Sequence, residues 1–171
     1  ILFTRIPDYE KFHLYQSLTS TKTVFEYWTH VLSYLPAKDY RYYLPKMVKA
    51  RKTPRPWFRS VTKADEDKVM KLIKKLGPIS IRDIKDDKLQ TKKHPWGSRK
   101  PSDRALLKGV YTGTLTVSER LGMIKKYDLT GRHFGWKKAP KPATVCYNLN
   151  GTLPHSFQPI RNIPLKKETV W

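Results

Sequence analysis

Cysteine is almost missing from this sequence. Its single thiol, Cys146, cannot form a disulfide within the chain and leaves none of the paired spacings of a zinc finger or ribbon. A reducing cytoplasm follows as the expectation. No apolar run reaches the length of a membrane span, and no segment is a continuous basic amphipathic helix, so the reading is of a protein without a membrane partner. No charged-then-apolar signal segment opens the chain either. It begins at Ile1 without an initiator Met, which suggests a piece of something longer. Acidic side chains are also scarce. Fourteen Asp and Glu stand against 35 Lys and Arg, a formal charge of +21. That excess is far beyond what solubility needs, and a polyanionic partner explains it most economically, nucleic acid above all.

What is present can fold. With 171 residues and 39% hydrophobic content the chain can bury one sizeable core or two small ones, and it is not a disordered tail. The expected class is α+β and mostly helical, in three parts. Residues 1–60 form an aromatic-rich helical subdomain, part of a first winged-helix unit, with a basic linker; 61–136 form a winged helix-turn-helix domain; 137–171 form a basic, proline-containing, poorly ordered tail.

Within the first part, Val24, Trp28, Val31, Leu32 and Leu35 recur at i, i+4, i+7, i+8 and i+11, which predicts a helix stopped by Pro36. Such a helix would set Glu26 and His30 one turn apart, where a carboxylate and an imidazole could exchange protons beside an extruded base. The plainer reading is a side-chain hydrogen bond beside packed aromatics, with Trp28 in the core. Tyr40, Tyr42 and Tyr43 read as a core seam, and Pro45 should kink or divide any helix through them. The stretch RKTPRPWFRS, residues 51–60, reads as the linker.

Residues 61–129 are the most legible. Thr62 is a plausible N-cap, and Val69, Leu72, Ile73 and Leu76 form an amphipathic stripe ended by Gly77-Pro78. ISIRDIK, residues 79–85, reads as a short extended entry and a short second helix capped by Ser80. A third helix starts at Pro101 or Ser102, buries Leu106, Leu107, Val110 and Tyr111, and exposes Arg104 and Lys108, with Arg99 and Lys100 just ahead. Alternation in TLTVSERLGMIKKYDL then predicts a hairpin turning near Leu121-Gly122, with Arg120, Lys125 and Lys126 near its tip. Helix, short strand, helix, helix, hairpin is the order of a winged helix, whose third helix enters the major groove. Arg99, Lys100, Arg104, Lys108, Arg120, Lys125 and Lys126 are therefore the candidate DNA contacts. The bland alternative for each is a solvated charge. Trp96, in the WGSR loop, could equally stack on an opened base or plug a gap, while Lys92, Lys93 and His94 read as solvated loop charge.

Several blocks resemble a known family. LFTRIPDY, FEYWTH, LPAKDYR, GPISIRD, WGSRKPSDRAL and KKYDLTGRHFGW occur in the order found in crosslink-repair DNA glycosylases of the YcaQ type, built from tandem winged helices. The resemblance runs from Ile1 to about Thr144. It implies duplex DNA as partner, damaged or crosslinked, excision of alkylated bases, unhooking of interstrand crosslinks, a monomer, and no metal or other cofactor. The family's catalytic Gln-x-Asp or Gln-x-Gln motif would lie upstream of LFTR, so the expectation is a truncated, non-catalytic fragment. The segment from Val145 to Trp171 does not resemble the family's later domains. The second functional class left open is a non-enzymatic winged-helix DNA-binding protein or transcription regulator, although no dimerisation or ligand domain accompanies it.

Overall fold

The structure, a computed structural model, describes residues 6–85, 98 and 100–143. Expectations that rest on the LFTR block, on Cys146, on the tail beyond residue 143, and on Lys92, Lys93, His94, Trp96 and Arg99 lie outside the described residues. The elements run α1 (Lys11–Thr19), β1 (Val24–Trp28), β2 (Leu32–Pro36), α2 (Tyr40–Lys52), α3 (Lys63–Leu76), β3 (Ile79–Ser80), α4 (Pro101–Tyr111), β4 (Leu115–Leu121), β5 (Ile124–Leu129) and α5 (Thr130–Phe134). Mixed α+β composition is thus observed.

The helix expected over residues 24–35 is not there. Val24–Trp28 and Leu32–Pro36 are two strands of an antiparallel hairpin, with Phe25 opposite Leu35 and Glu26 opposite Tyr34. The apolar stripe fitted a helix because a short run of bulky residues satisfies either period. Strand geometry sends successive side chains to opposite faces. Phe25 and Tyr27 enter the core, where their rings meet Tyr43 at 5.8 and 5.6 Å. Glu26 points the other way and is buried all the same, at 2% exposure. Trp28, expected in the core, is 40% exposed at the end of β1.

Tyr40 and Tyr43 form the seam the sequence suggested, since both are buried and Tyr40 donates its hydroxyl to Gly113 O at 3.2 Å. Burial pushes the Tyr40 phenol up to about 12. Pro45 does not divide its helix. Lacking an N–H, it leaves Arg41 O without its usual partner, and Ala143 N donates to that carbonyl instead at 3.2 Å.

The second half follows most of the local signals. On α4, however, Lys108, expected to be exposed, keeps 15% of its side chain accessible because it pairs with Glu66, and Leu107, expected to be buried, is 39% exposed. In α3 the Thr62 hydroxyl accepts from Asp65 N at 3.2 Å while Thr62 N donates to Asp65 Oδ2 at 2.9 Å, a reciprocal cap. Val69 and Ile73 are buried, but Leu76, at the stripe's end, is 60% exposed. Thr62→Ala should lower stability by about 1 kcal/mol, read as an earlier urea midpoint with unchanged slope. The short second helix is a single 3-10 turn over Ile81–Asp83, capped by the Ser80 hydroxyl accepting from Arg82 N at 3.2 Å. Strands β3, β5 and β4 form an antiparallel sheet in that order, with a register shift between Val117 and Glu119. One cluster of buried residues joins Phe25, Tyr43 and Met47 to Ile73, Leu106 and Val117.

Candidate nucleic-acid interface

Alternation along β1 is what puts a carboxylate where two basic side chains can reach it. Across the β4–β5 hairpin Arg120 stands opposite Lys125, one pair back from the turn, and both extend toward Glu26. Arg120 Nη1 donates to Glu26 Oε2 at 2.8 Å, and Lys125 Nζ donates to Oε1. The acid is 2% exposed and its partners only 24% and 20%. One negative and two positive charges leave the node one unit positive. Burial, followed by the charge of Glu26, pushes the phenol of cross-strand neighbour Tyr34 upward. The same Arg120 donates from Nε to Gly122 O at 3.0 Å, which braces the turn itself.

His30 does not join Glu26. It sits exposed in the connection between β1 and β2, with Nδ1 3.3 Å from the Thr29 hydroxyl. On a strand the two side chains are no longer neighbours, so the expected acid–imidazole pair is corrected to an acid held by two cations.

Beside the node a shallow cleft opens between the β1–β2 hairpin, α4 and the β4–β5 hairpin, with Tyr27, Trp28, Leu107 and Tyr127 among its walls and Lys125 at its edge. Trp28, Leu32 and Leu107 are 40%, 40% and 39% exposed. Lys46 donates to Trp28 O at 3.0 Å, and its ammonium lies 5.6 Å from the Tyr27 ring centre. Burial, with the nearby Arg55 charge, lowers its pKa. The period of residues 24–35 hid this surface. Its visible signal was the density of aromatic and β-branched residues, which favours strands.

The remaining candidate cations have intramolecular roles as well. Arg104 Nη1 donates to the Ser60 hydroxyl at 2.6 Å, and Lys108 pairs with Glu66 at 2.6 Å, which ties α4 to α3. Lys126 pairs with Glu119 at 2.8 Å, and that contact, ahead of the opposing effect of burial, pulls the Glu119 carboxyl down. Lys126 keeps 40% of its side chain exposed. Lys100, half-buried, precedes the first turn of α4, whose Pro101 supplies the fixed φ of a helix start.

Among the described residues no group of three or more His, Cys, Asp or Glu could hold a metal ion, and no helix is long and apolar enough to cross a membrane. A family model described as DNA glycosylase AlkZ-like matches residues 1–156. No solved structure matches the chain.

Proposed function

The chain belongs to the AlkZ-like DNA glycosylase family, and from that premise we propose that it binds duplex DNA as a winged helix, in the service of excising alkylated bases and unhooking interstrand crosslinks. One observation carries the reading. Helix α3, strand β3, helix α4 and the β4–β5 hairpin follow one another, and the sheet order is β3-β5-β4. That strand order is the one a winged helix-turn-helix has, and its sequence of elements is matched with the 3-10 turn Ile81–Asp83 standing where the second helix would lie. In a chain of +21 this reading puts α4 in a groove and the hairpin on the flanking backbone. Lys100, Arg104 and Lys108 are then the helix-side contacts, with Arg99 ahead of them, and Arg120, Lys125 and Lys126 the hairpin-side ones.

The carboxylate partners of Lys108, Arg120, Lys125 and Lys126 fit a positioning scheme. A cation held by one carboxylate presents its remaining N–H groups in a fixed direction, so phosphate contact costs less side-chain entropy than it would from a free lysine. Glu26 is the main such anchor. Breaking an N-glycosidic bond calls for a carboxylate that stabilises the sugar cation or aligns a water. An acid already neutralised by Arg120 and Lys125 is poorly suited to that task, so the reading gives Glu26 a positioning role. None of Gln16, Gln90 and Gln158 is followed two residues later by Asp or Gln. The chain by itself is therefore assigned binding and not turnover.

Fluorescence anisotropy on a labelled duplex tests this. Affinity should fall steeply as salt rises, because each phosphate contact releases counterions. Lys126→Ala should shallow the slope of log affinity against log salt by about one unit, whereas Lys85→Ala, outside the assigned face, should leave it unchanged. An affinity indifferent to salt would refute duplex binding through phosphates. Base release from an alkylated duplex by this chain would overturn the assignment of binding without turnover.

A further inference from the structure

The turn of the β4–β5 hairpin carries apolar side chains where a surface hairpin ordinarily carries polar ones. Met123 is 86% exposed and Leu121 56%, with Gly122 between them at φ +60°. Leu121 pairs with Ile124, so Gly122 and Met123 are the two turn residues and Arg120 and Lys125 lie immediately behind. A single exposed apolar residue would mean little. Here two flank a single turn glycine, at the outermost point of an element braced at its base. Arg120 holds the turn carbonyl of Gly122 at 3.0 Å and reaches Glu26 at 2.8 Å, while Lys125 meets the same buried acid from the opposite strand.

We propose that Leu121 and Met123 form an apolar wedge that enters a weakened base step of duplex DNA, with the Arg120–Glu26–Lys125 node as its rigid mount. The inference rests on the duplex-binding reading above and adds what the hairpin does there. Leucine and methionine are among the side chains that unstack base steps when inserted between them. Insertion needs a tip that does not fold back, which the node provides, and cations close behind to meet the flanking phosphates. The node's net charge of one positive supplies that sign. The same charge argues against a second copy as occupant, since two chains of +21 repel. A two-residue tip also buries far less area than a stable protein interface requires. Because stacking must be given up, the wedge should favour a step where stacking is already poor, such as one next to a missing or mismatched base.

The test uses the 171-residue chain and a duplex carrying 2-aminopurine beside a tetrahydrofuran abasic analogue, with a fully paired duplex for comparison. Wild type at saturation should raise 2-aminopurine emission severalfold on the abasic duplex and much less on the paired one. The Leu121→Ser/Met123→Ser double variant should lose that rise while its anisotropy affinity for paired duplex stays within about threefold. Met123→Phe should retain it. Both side chains are solvent-facing, so circular dichroism should show all variants folded. Binding by wild type without an emission rise, or a full rise in the double variant, would overturn the wedge and leave duplex binding standing. No binding by wild type would overturn both. A drop in sedimentation mass from wild type to double variant would assign the tip to contacts between copies and overturn the wedge.

Discussion

Glu26→Ala is expected to destabilise the protein by about 3 kcal/mol, and so to lower its melting temperature by about 9 °C. Arg120 and Lys125 are three-quarters or more removed from solvent, at 24% and 20% exposure, and alanine would leave both without the acid they share. Stranded charges of this kind are costly because water cannot take the place of the lost partner. The effect should therefore come from the cations left behind. A variant carrying Glu26→Leu, Arg120→Met and Lys125→Met tests that directly, since removing all three charges at similar volume should restore most of the lost stability. If Glu26→Ala cost less than about 1 kcal/mol, the node would behave as a solvent-screened surface pair. In that case it could not serve as a rigid mount for the hairpin.

The second large effect is expected at Gly113, where α4 hands the chain to β4. Its φ is +72°, and a Cβ added there would lie 2.5 Å from Met47 Sδ and 2.9 Å from the Tyr40 hydroxyl oxygen. Met47 is 1% exposed and Tyr40 3%, so neither can move out of the way into solvent. The Tyr40 hydroxyl and the Thr130 hydroxyl, at 3.2 and 3.0 Å, both donate to the carbonyl of Gly113, so the backbone is pinned as well. Left-handed strain and overpacking together should make Gly113→Ala cost about 3 kcal/mol in urea unfolding. Gly122→Ala provides the contrast. It has φ +60° with nothing within 4 Å of the added carbon, so only the strain of about 1 kcal/mol should appear. Equal losses at the two positions would mean that the seam around Tyr40 yields more readily than its burial implies.

Much of the second half was legible because its signals are local. Thr62, the stripe of α3, Pro101 at the start of α4 and the alternation around Gly122 each act within a few residues, through caps, helical period and turn geometry. The second helix shrank to one turn because the backbone is already extended at Ile84, whose side chain is buried in the core. The first half was harder to read. A β-strand buried on one face shows alternation, but on β1 the face opposite Phe25 and Tyr27 carries apolar Val24 and Trp28 on either side of Glu26, so the period was obscured. Pro45 was misleading for a related reason, because the donor that replaces its missing N–H comes from Ala143, distant in the chain.

The sequence by itself determined the charge of +21, the succession of α3, β3, α4 and the β4–β5 hairpin, and membership in a glycosylase family through contiguous blocks of residues. Only the tertiary structure decided that Glu26 is the anchor of a cation pair and not the partner of His30. Arg120 and Lys125 lie 94 and 99 residues further along the chain. Caps and periodicities are settled by neighbours in sequence, whereas the state of a buried charge is settled by whatever the fold places against it. For Glu26 that is the β4–β5 hairpin, which covers the face of β1 that a lone hairpin would have left in water.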